Sequence, residues 1–118
     1  LVFATLHTPN AVQTIDRIVD VFPPYQQSQI RTQLSLSLKA IVAQRLIPCR
    51  HGGRTAHREV LINNTAVSDI IRDGRTQELT SVIQTGRDAG MCTFQKHAKE
   101  LYKNDEIDKE TYEWTKDL

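Results

Sequence analysis

Apolar side chains fill the opening of the chain almost without interruption, Leu1 to Leu6, and an apolar run that alternates this poorly predicts an interior parallel strand covered on both faces. His7-Thr8-Pro9-Asn10 breaks the run. Val12, Ile15, Ile18, Val19 and Phe22 then recur at helical spacing, and either Asn10 or Thr8 offers a side-chain oxygen to cap the helix they predict over 11–22. Phe22-Pro23-Pro24 stops that helix. Pro24 suits the first turn of a second, longer one, in which Ile30, Leu34, Leu38, Ile41 and Val42 form an apolar stripe while Gln26, Gln29, Gln33 and Lys39 fall mostly off it.

From Gln44 to Ile62 the pattern changes. Two β-prone runs, Arg45–Cys49 and His57–Ile62, flank Arg50-His51-Gly52-Gly53. Gly-Gly supplies the positive φ that a tight hairpin needs, so an antiparallel ribbon is expected. Asn64 or Thr65 caps a short helix over Ala66–Arg72, and Asp73-Gly74 ends it with glycine at the left-handed position. Helices are expected at 75–85, 93–104 and 108–116, punctuated by Gly86, Gly90 and Asp105. Phe94, Leu101, Tyr102, Tyr112 and Trp114 are expected to pack these rear helices together. No internal repeat or flexible linker interrupts the chain.

The 118 residues carry 15 Lys+Arg against 14 Asp+Glu, with 39% hydrophobic residues. That is material for one modest domain with its own core. No apolar run reaches the 18 residues of a membrane span. A net charge of +1 argues against bulk nucleic acid or anionic lipid as partner. Charge is uneven, however: residues 1–50 hold five basic and two acidic side chains, and 76–118 hold six basic and nine acidic. The front half is therefore the better neighbour for an anion. Arg50, His51, Arg54, His57 and Arg58 make one basic knot, without the interleaved aromatics that mark single-strand nucleic-acid binding, and a solvated turn is the expectation.

The chain opens on apolar residues with no Met, polar lead-in or charged signal-peptide start, and is expected to be the C-terminal piece of a longer protein. Cys49 and Cys92 form no CxxC pair and no disulfide framework. Cys49 and His51 with His57 remain an incomplete metal set, lacking a fourth ligand.

The string LVFATLHT…TIDRIVDVFP (1–23) closely resembles the histidine-box segment of the type IV pilus retraction ATPases, twitching-motility motors of the RecA-like secretion ATPase superfamily. The resemblance runs along nearly the whole chain: LSLSLKAIVAQRLIP (34–48), AVSDIIRDGR (66–75) as a diverged form of the family's AIRNLIRE helix, then IQTGRDAGMCTF (83–94) and a helical tail. It implies an α/β fold, the C-terminal part of a RecA-like P-loop ATPase domain (a parallel strand plus an antiparallel hairpin) over 1–62, followed by an α-helical C-terminal region over 63–118.

Motors of this kind bind ATP and Mg between subunits of a homo-hexamer, with a Walker A loop of the form GxxxxGK[ST] holding phosphate and metal. No glycine here is followed by lysine, so this stretch carries no such loop and is expected to hydrolyse no ATP by itself. The resemblance makes His7 the histidine-box residue that senses the γ-phosphate, with Thr5 and Thr8 as polar support and Arg17 reaching a phosphate or a neighbouring subunit. On the residues alone, a capping histidine that satisfies nearby backbone groups is the favoured reading of His7, and Arg17 pairs as readily with Asp20 along its helix.

Assembly and secretion relatives commonly carry a four-cysteine zinc insertion where this chain has IPCRHGGRTAH; a single Cys there favours the retraction type. The family's retraction helix falls on Ala66, Ile70, Ile71 and Arg72, expected to dock on a neighbour, or else to be an ordinary packed helix. The implied partner is a pilus platform protein of the inner membrane, and the implied location is cytoplasmic, at the inner face of that membrane and peripheral to it through partners. A non-catalytic helical interaction module, and a related secretion or DNA-transfer ATPase, are the alternatives.

Overall fold

The computed structural model describes residues 1–116 and 118. Asn10 opens α1 (Ala11–Asp20), its Oδ1 accepting from the Gln13 N–H at 2.8 Å. That satisfies one of the donors every helix start leaves free. Pro23 precedes α2 (Pro24–Ser37), where the ring's fixed φ suits the first turn and the missing N–H costs nothing.

The long helix ends earlier than its apolar stripe predicts. Leu38 turns to extended backbone at ψ 133, and Ile41 and Val42 belong to β1 (Ala40–Pro48) rather than to the helix. The reason is pairing. β1 matches β2 (Arg54–Ile62) residue for residue, from Ala40 opposite Ile62 to Pro48 opposite Arg54, and on a two-residue period Ile41, Ala43 and Ile47 are buried while Val42, Gln44 and Leu46 face outward. The glycines of the connecting turn have φ of 99° and 73° at Gly52 and Gly53, as the tight hairpin requires.

A second departure lies at the front. Residues 1–8 form no strand; the sheet is two-stranded, β1 beside β2, and the opening run pairs with neither. Leu1, Val2 and Phe3 are 97%, 88% and 90% exposed. An apolar run becomes a buried strand only where neighbouring strands satisfy its edges, and among the described residues none does.

Asn64 caps α3 (Thr65–Asp73), accepting from the Val67 N–H, and Gly74 ends it at φ 72°. A 3₁₀ turn (Thr76–Glu78) leads into α4 (Leu79–Thr85), and a second (Arg87–Ala89) precedes α5 (Phe94–Lys103), capped by Thr93; Asp108 caps α6 (Lys109–Thr115). The far edge of β2 meets Cys92 through a pair of Val60 backbone bonds at 2.8 and 3.1 Å. The main core gathers Ala11 and Ile15 from α1, Ile41 and Leu61 from the ribbon, and Val67, Ile70, Ile71, Leu79, Ile83 and Met91 from beyond it. A smaller cluster of Ile47, Leu101 and Ile107 joins the ribbon's tip to the rear helices. No helix among the described residues is long and apolar enough to cross a membrane.

Candidate functional site

His7 and Thr5 lie exposed on the irregular segment before α1. Thr8 is half-buried. The Thr14 hydroxyl donates to the Asn10 carbonyl at 2.8 Å, so in the 2.6 Å contact between the two threonine hydroxyls it is Thr8 that donates. Thr8 is thus committed to the start of α1, while the His7 imidazole is presented outward from it. Arg17, on α1, is exposed and has no ion-pair partner among the described residues, Asp20 included. Its neighbour Asp16 accepts from the Thr76 hydroxyl at 2.9 Å, which fastens α1 to the turn after α3.

Two side chains of the ribbon hold the segment that carries His7. Arg45 of β1 donates from Nη2 to the Pro9 carbonyl at 3.3 Å, and its guanidinium carbon stands 3.9 Å from the centre of the Phe94 ring. Glu59 of β2 accepts the Ala11 N–H on Oε1 at 3.0 Å. Glu59 is 8% exposed and Ala11 wholly buried, and among the described residues no cation lies within ion-pair reach of this carboxylate. A carboxylate taken out of water without a cation is costly; the positive end of α1 and the N–H it presents offset part of that cost. Sequence reasoning passed over Glu59. The signal was available: on a two-residue period it shares the inward row of β2 with His57 and Leu61, where an acid is out of place.

On α3 the structure separates the four residues assigned to partner contact. Ile70 is 5% exposed and Ile71 fully buried, both in the main core with Val67. They are spent on this chain's own packing, which corrects the expectation that the apolar face of this helix docks on a neighbour. Ala66 and Arg72 face outward, and Arg72 bonds Asp69 at 2.8 Å.

Residues 50–54 of the hairpin turn are all exposed, as expected of a solvated turn. Arg50 pairs with Asp105, and its N–H donates to the Glu106 carbonyl at 2.7 Å. The Cys49 thiol donates to that same oxygen at 3.2 Å. His57 lies on the inward face against α5, so Cys49, His51 and His57 are not brought together, and no group of three or more His, Cys, Asp or Glu suited to a metal occurs among the described residues. Burial pushes the Cys92 thiol pKa up, away from thiolate chemistry. Of the rear aromatics, Phe94 is buried and Tyr102 stacks on Tyr112 with ring centres 4.9 Å apart. Trp114 stays 46% exposed, against the expectation that it packs.

Residues 1–117 match the family model described as "Type II/IV secretion system protein". The chain belongs to that family. It is 48% identical over 95 residues to the uncharacterised protein YggR of Escherichia coli K12, covering 80% of this chain and 29% of that protein. With the type IV pilus retraction ATPase PilT of Pseudomonas aeruginosa PAO1 it shares 42% identity over 110 residues, 93% of this chain and 32% of the relative. A crystal structure of the pilus retraction motor PilT with bound ADP superposes with a TM-score of 0.81 at 40% identity, covering 93% of this chain and 30% of that one. This member of the type II/IV secretion family therefore spans about 30% of the length of these relatives, and its fold is that of the corresponding part of the PilT motor.

Proposed function

We propose that this chain is the C-terminal part of a hexameric, ATP-driven motor that powers type IV pilus retraction and twitching motility. The observation that carries the reading is the 42% identity across 93% of the chain with a protein named as a retraction ATPase. The ribbon supports it too: its turn is a bare Gly52-Gly53 reversal with one cysteine beside it, leaving no room for a four-thiolate zinc insertion. On this reading residues 1–62 close an ATPase domain and 63–118 form its helical appendage. ATP and Mg are held by a phosphate loop outside these 118 residues, and the 118 residues alone hydrolyse no ATP.

His7 is then the nucleotide sensor. Its imidazole, presented outward ahead of α1, donates one N–H toward a γ-phosphate oxygen, a charge-assisted bond worth about 1.5–3 kcal/mol, enough to distinguish ATP from ADP. Thr5 supports it and Arg17 reaches across to a phosphate or the adjoining subunit. The outward residues of α3, Ala66 and Arg72, meet a platform protein at the cytoplasmic face of the inner membrane.

In the full-length protein, His7→Ala is expected to lower ATP turnover about tenfold or more, the loss of one charge-assisted contact made in the transition state, and to stop retraction. Arg72→Glu is expected to keep turnover within about twofold, as a surface substitution remote from the nucleotide, and to stop retraction as well. Normal filament shortening by both variants would overturn the reading.

A further inference from the structure

His7 sits in a segment with no regular structure of its own, yet a nucleotide sensor must stand in one place. Beyond Thr8, whose hydroxyl bonds Thr14 of α1, the fixed points after it are Pro9, whose carbonyl takes the Arg45 guanidinium, and Ala11, whose N–H is held by Glu59. Two residues of chain reach at most about 7 Å, so fixing Pro9 confines the His7 backbone to a small volume, and fixing Ala11 sets the direction in which the segment leaves α1. Neither contact comes from α1. Both come from the ribbon, one from each strand, and Arg45 also lies over Phe94 at the start of α5.

We infer that Arg45 and Glu59 are positioning residues for His7: the guanidinium fastens the Pro9 carbonyl to the ribbon and to Phe94, and the carboxylate fastens the first amide of α1. The inference rests on the reading of His7 as the nucleotide sensor. Its geometry is specific to side-chain type. Arg45 needs a planar cation that donates sideways while its face rests on a ring, which lysine cannot do. Glu59 needs only an oxygen acceptor, so glutamine substitutes for it and an aliphatic residue does not. A merely structural ion would show neither preference.

The test uses the full-length protein and two readouts, amide exchange across residues 8–14 and steady-state ATP hydrolysis. Arg45→Met keeps the aliphatic stem and loses the donor. It is expected to speed exchange across 8–14 about tenfold and to lower kcat about tenfold, since a misplacement of an ångström costs that much or more, with the KM for ATP within about twofold. Adding Arg45→Met to His7→Ala is expected to slow hydrolysis no further. Glu59→Leu is expected to behave as Arg45→Met does and Glu59→Gln as the parent; should Glu59→Leu fail to fold, Arg45→Met and Glu59→Gln still decide. Unchanged exchange in Arg45→Met overturns the inference, and so does a loss in kcat that multiplies fully with that of His7→Ala. If His7→Ala alone hydrolyses ATP normally, the sensor reading fails separately; the two fasteners are then upheld by faster exchange across 8–14 and overturned by its absence.

Discussion

The Nε2 of His57 lies 2.6 Å from the Phe94 carbonyl oxygen, and its Nδ1, equally buried, has no partner. Only the neutral imidazole with its proton on Nε2 fits: Nε2–H donates to the carbonyl and Nδ1 keeps an unused lone pair. A second histidine stacks on it with ring centres 5.9 Å apart, and His97 uses its own Nδ1 to accept the Arg58 N–H at 3.0 Å. Protonating either ring is unfavourable, the first because a buried donor would find no acceptor, the second because it would break the bond from Arg58.

Burial is accordingly the main cause holding both pKa values below their ordinary 6.5, assisted by Arg45 and His97 for His57 and by Arg58 for His97, against Glu100 and Glu106. The sign follows from linkage. Below pH 6.5 the unfolded chain takes up protons that the folded chain refuses, so this contribution to stability is complete above that pH and drains away as pH falls through the folded values. Urea unfolding is expected to show stability falling between pH 7 and 5 by up to about 1.4 kcal/mol per pH unit for each ring. In His97→Asn, whose Oδ1 can still accept from Arg58, that slope is expected to shrink.

The split of α3 into a buried and an outward face gives a second measurement. Ile71 is completely enclosed in the main core, and Ile71→Ala is expected to cost about 2–5 kcal/mol through lost burial and the cavity left behind. Arg72, three residues from its exposed partner Asp69, is expected to change stability by less than about 0.5 kcal/mol when replaced by alanine. Equal losses in thermal unfolding would contradict this division. A charge at Ile70 or Ile71 therefore disables the molecule by unfolding it, and tests of docking belong on Ala66 and Arg72.

Which features were legible in the sequence depends on how local their causes are. The caps at Asn10 and Asn64, each one of two candidates the sequence offers, the stop at Gly74 and the reversal at Gly52-Gly53 act within a few residues and stand where the local sequence allows them. Ile41 and Val42 fall into the stripe of α2 by spacing because a β-branched pair extends a helical stripe as readily as it starts a strand; the partners that decide, Leu61 and Val60, are twenty and eighteen residues away. The opening run reads as a strand by composition, but strand formation is settled by neighbours that composition does not contain. His7 stood out through its motif, whereas Glu59 and Arg45 became visible only when the fold brought Ala11 and Pro9 against the ribbon. An inward acid on a strand was the one local hint.

Gly86 separates two reasons for a glycine. Its φ is −89°, an ordinary value for any residue, so backbone strain plays no part. A Cβ there would stand 2.9 Å from the Met91 sulfur and 2.9 Å from the Val82 carbonyl oxygen. The Met91 side chain is flexible, but it is 3% exposed within the core and the carbonyl is fixed in α4. Gly86→Ala is expected to destabilise by about 1–3 kcal/mol, the range for overpacking, measured by urea unfolding. At Gly53 a Cβ meets nothing but φ is 73°, and Gly53→Ala is expected to cost about 1 kcal/mol through conformation alone. In a double-mutant cycle Gly86→Ala is expected to cost less in a Met91→Ala background than in the parent, and Gly53→Ala the same in both.

Asn63 closes α2 from across the chain. That helix ends without a glycine, and the Asn63 amide nitrogen donates to the Ser35 carbonyl at 2.9 Å and to the Leu38 carbonyl at 2.8 Å, while its N–H donates to Lys39 at 2.9 Å. One side chain thus satisfies two carbonyls that the helix end leaves open, and it lies between the ribbon and α3, whose Ser68 hydroxyl donates to the same Ser35 carbonyl at 2.9 Å. Asn63→Ala removes both donors and is expected to cost about 1–3 kcal/mol. Asn63→Asp preserves the shape but sets a carboxylate against two carbonyl oxygens with no proton to share, and is expected to cost more than alanine at pH 7. Chemical denaturation of the three proteins gives the order directly. An aspartate variant more stable than the alanine variant would show that the side chain's shape, and not its two donated hydrogens, holds the end of α2.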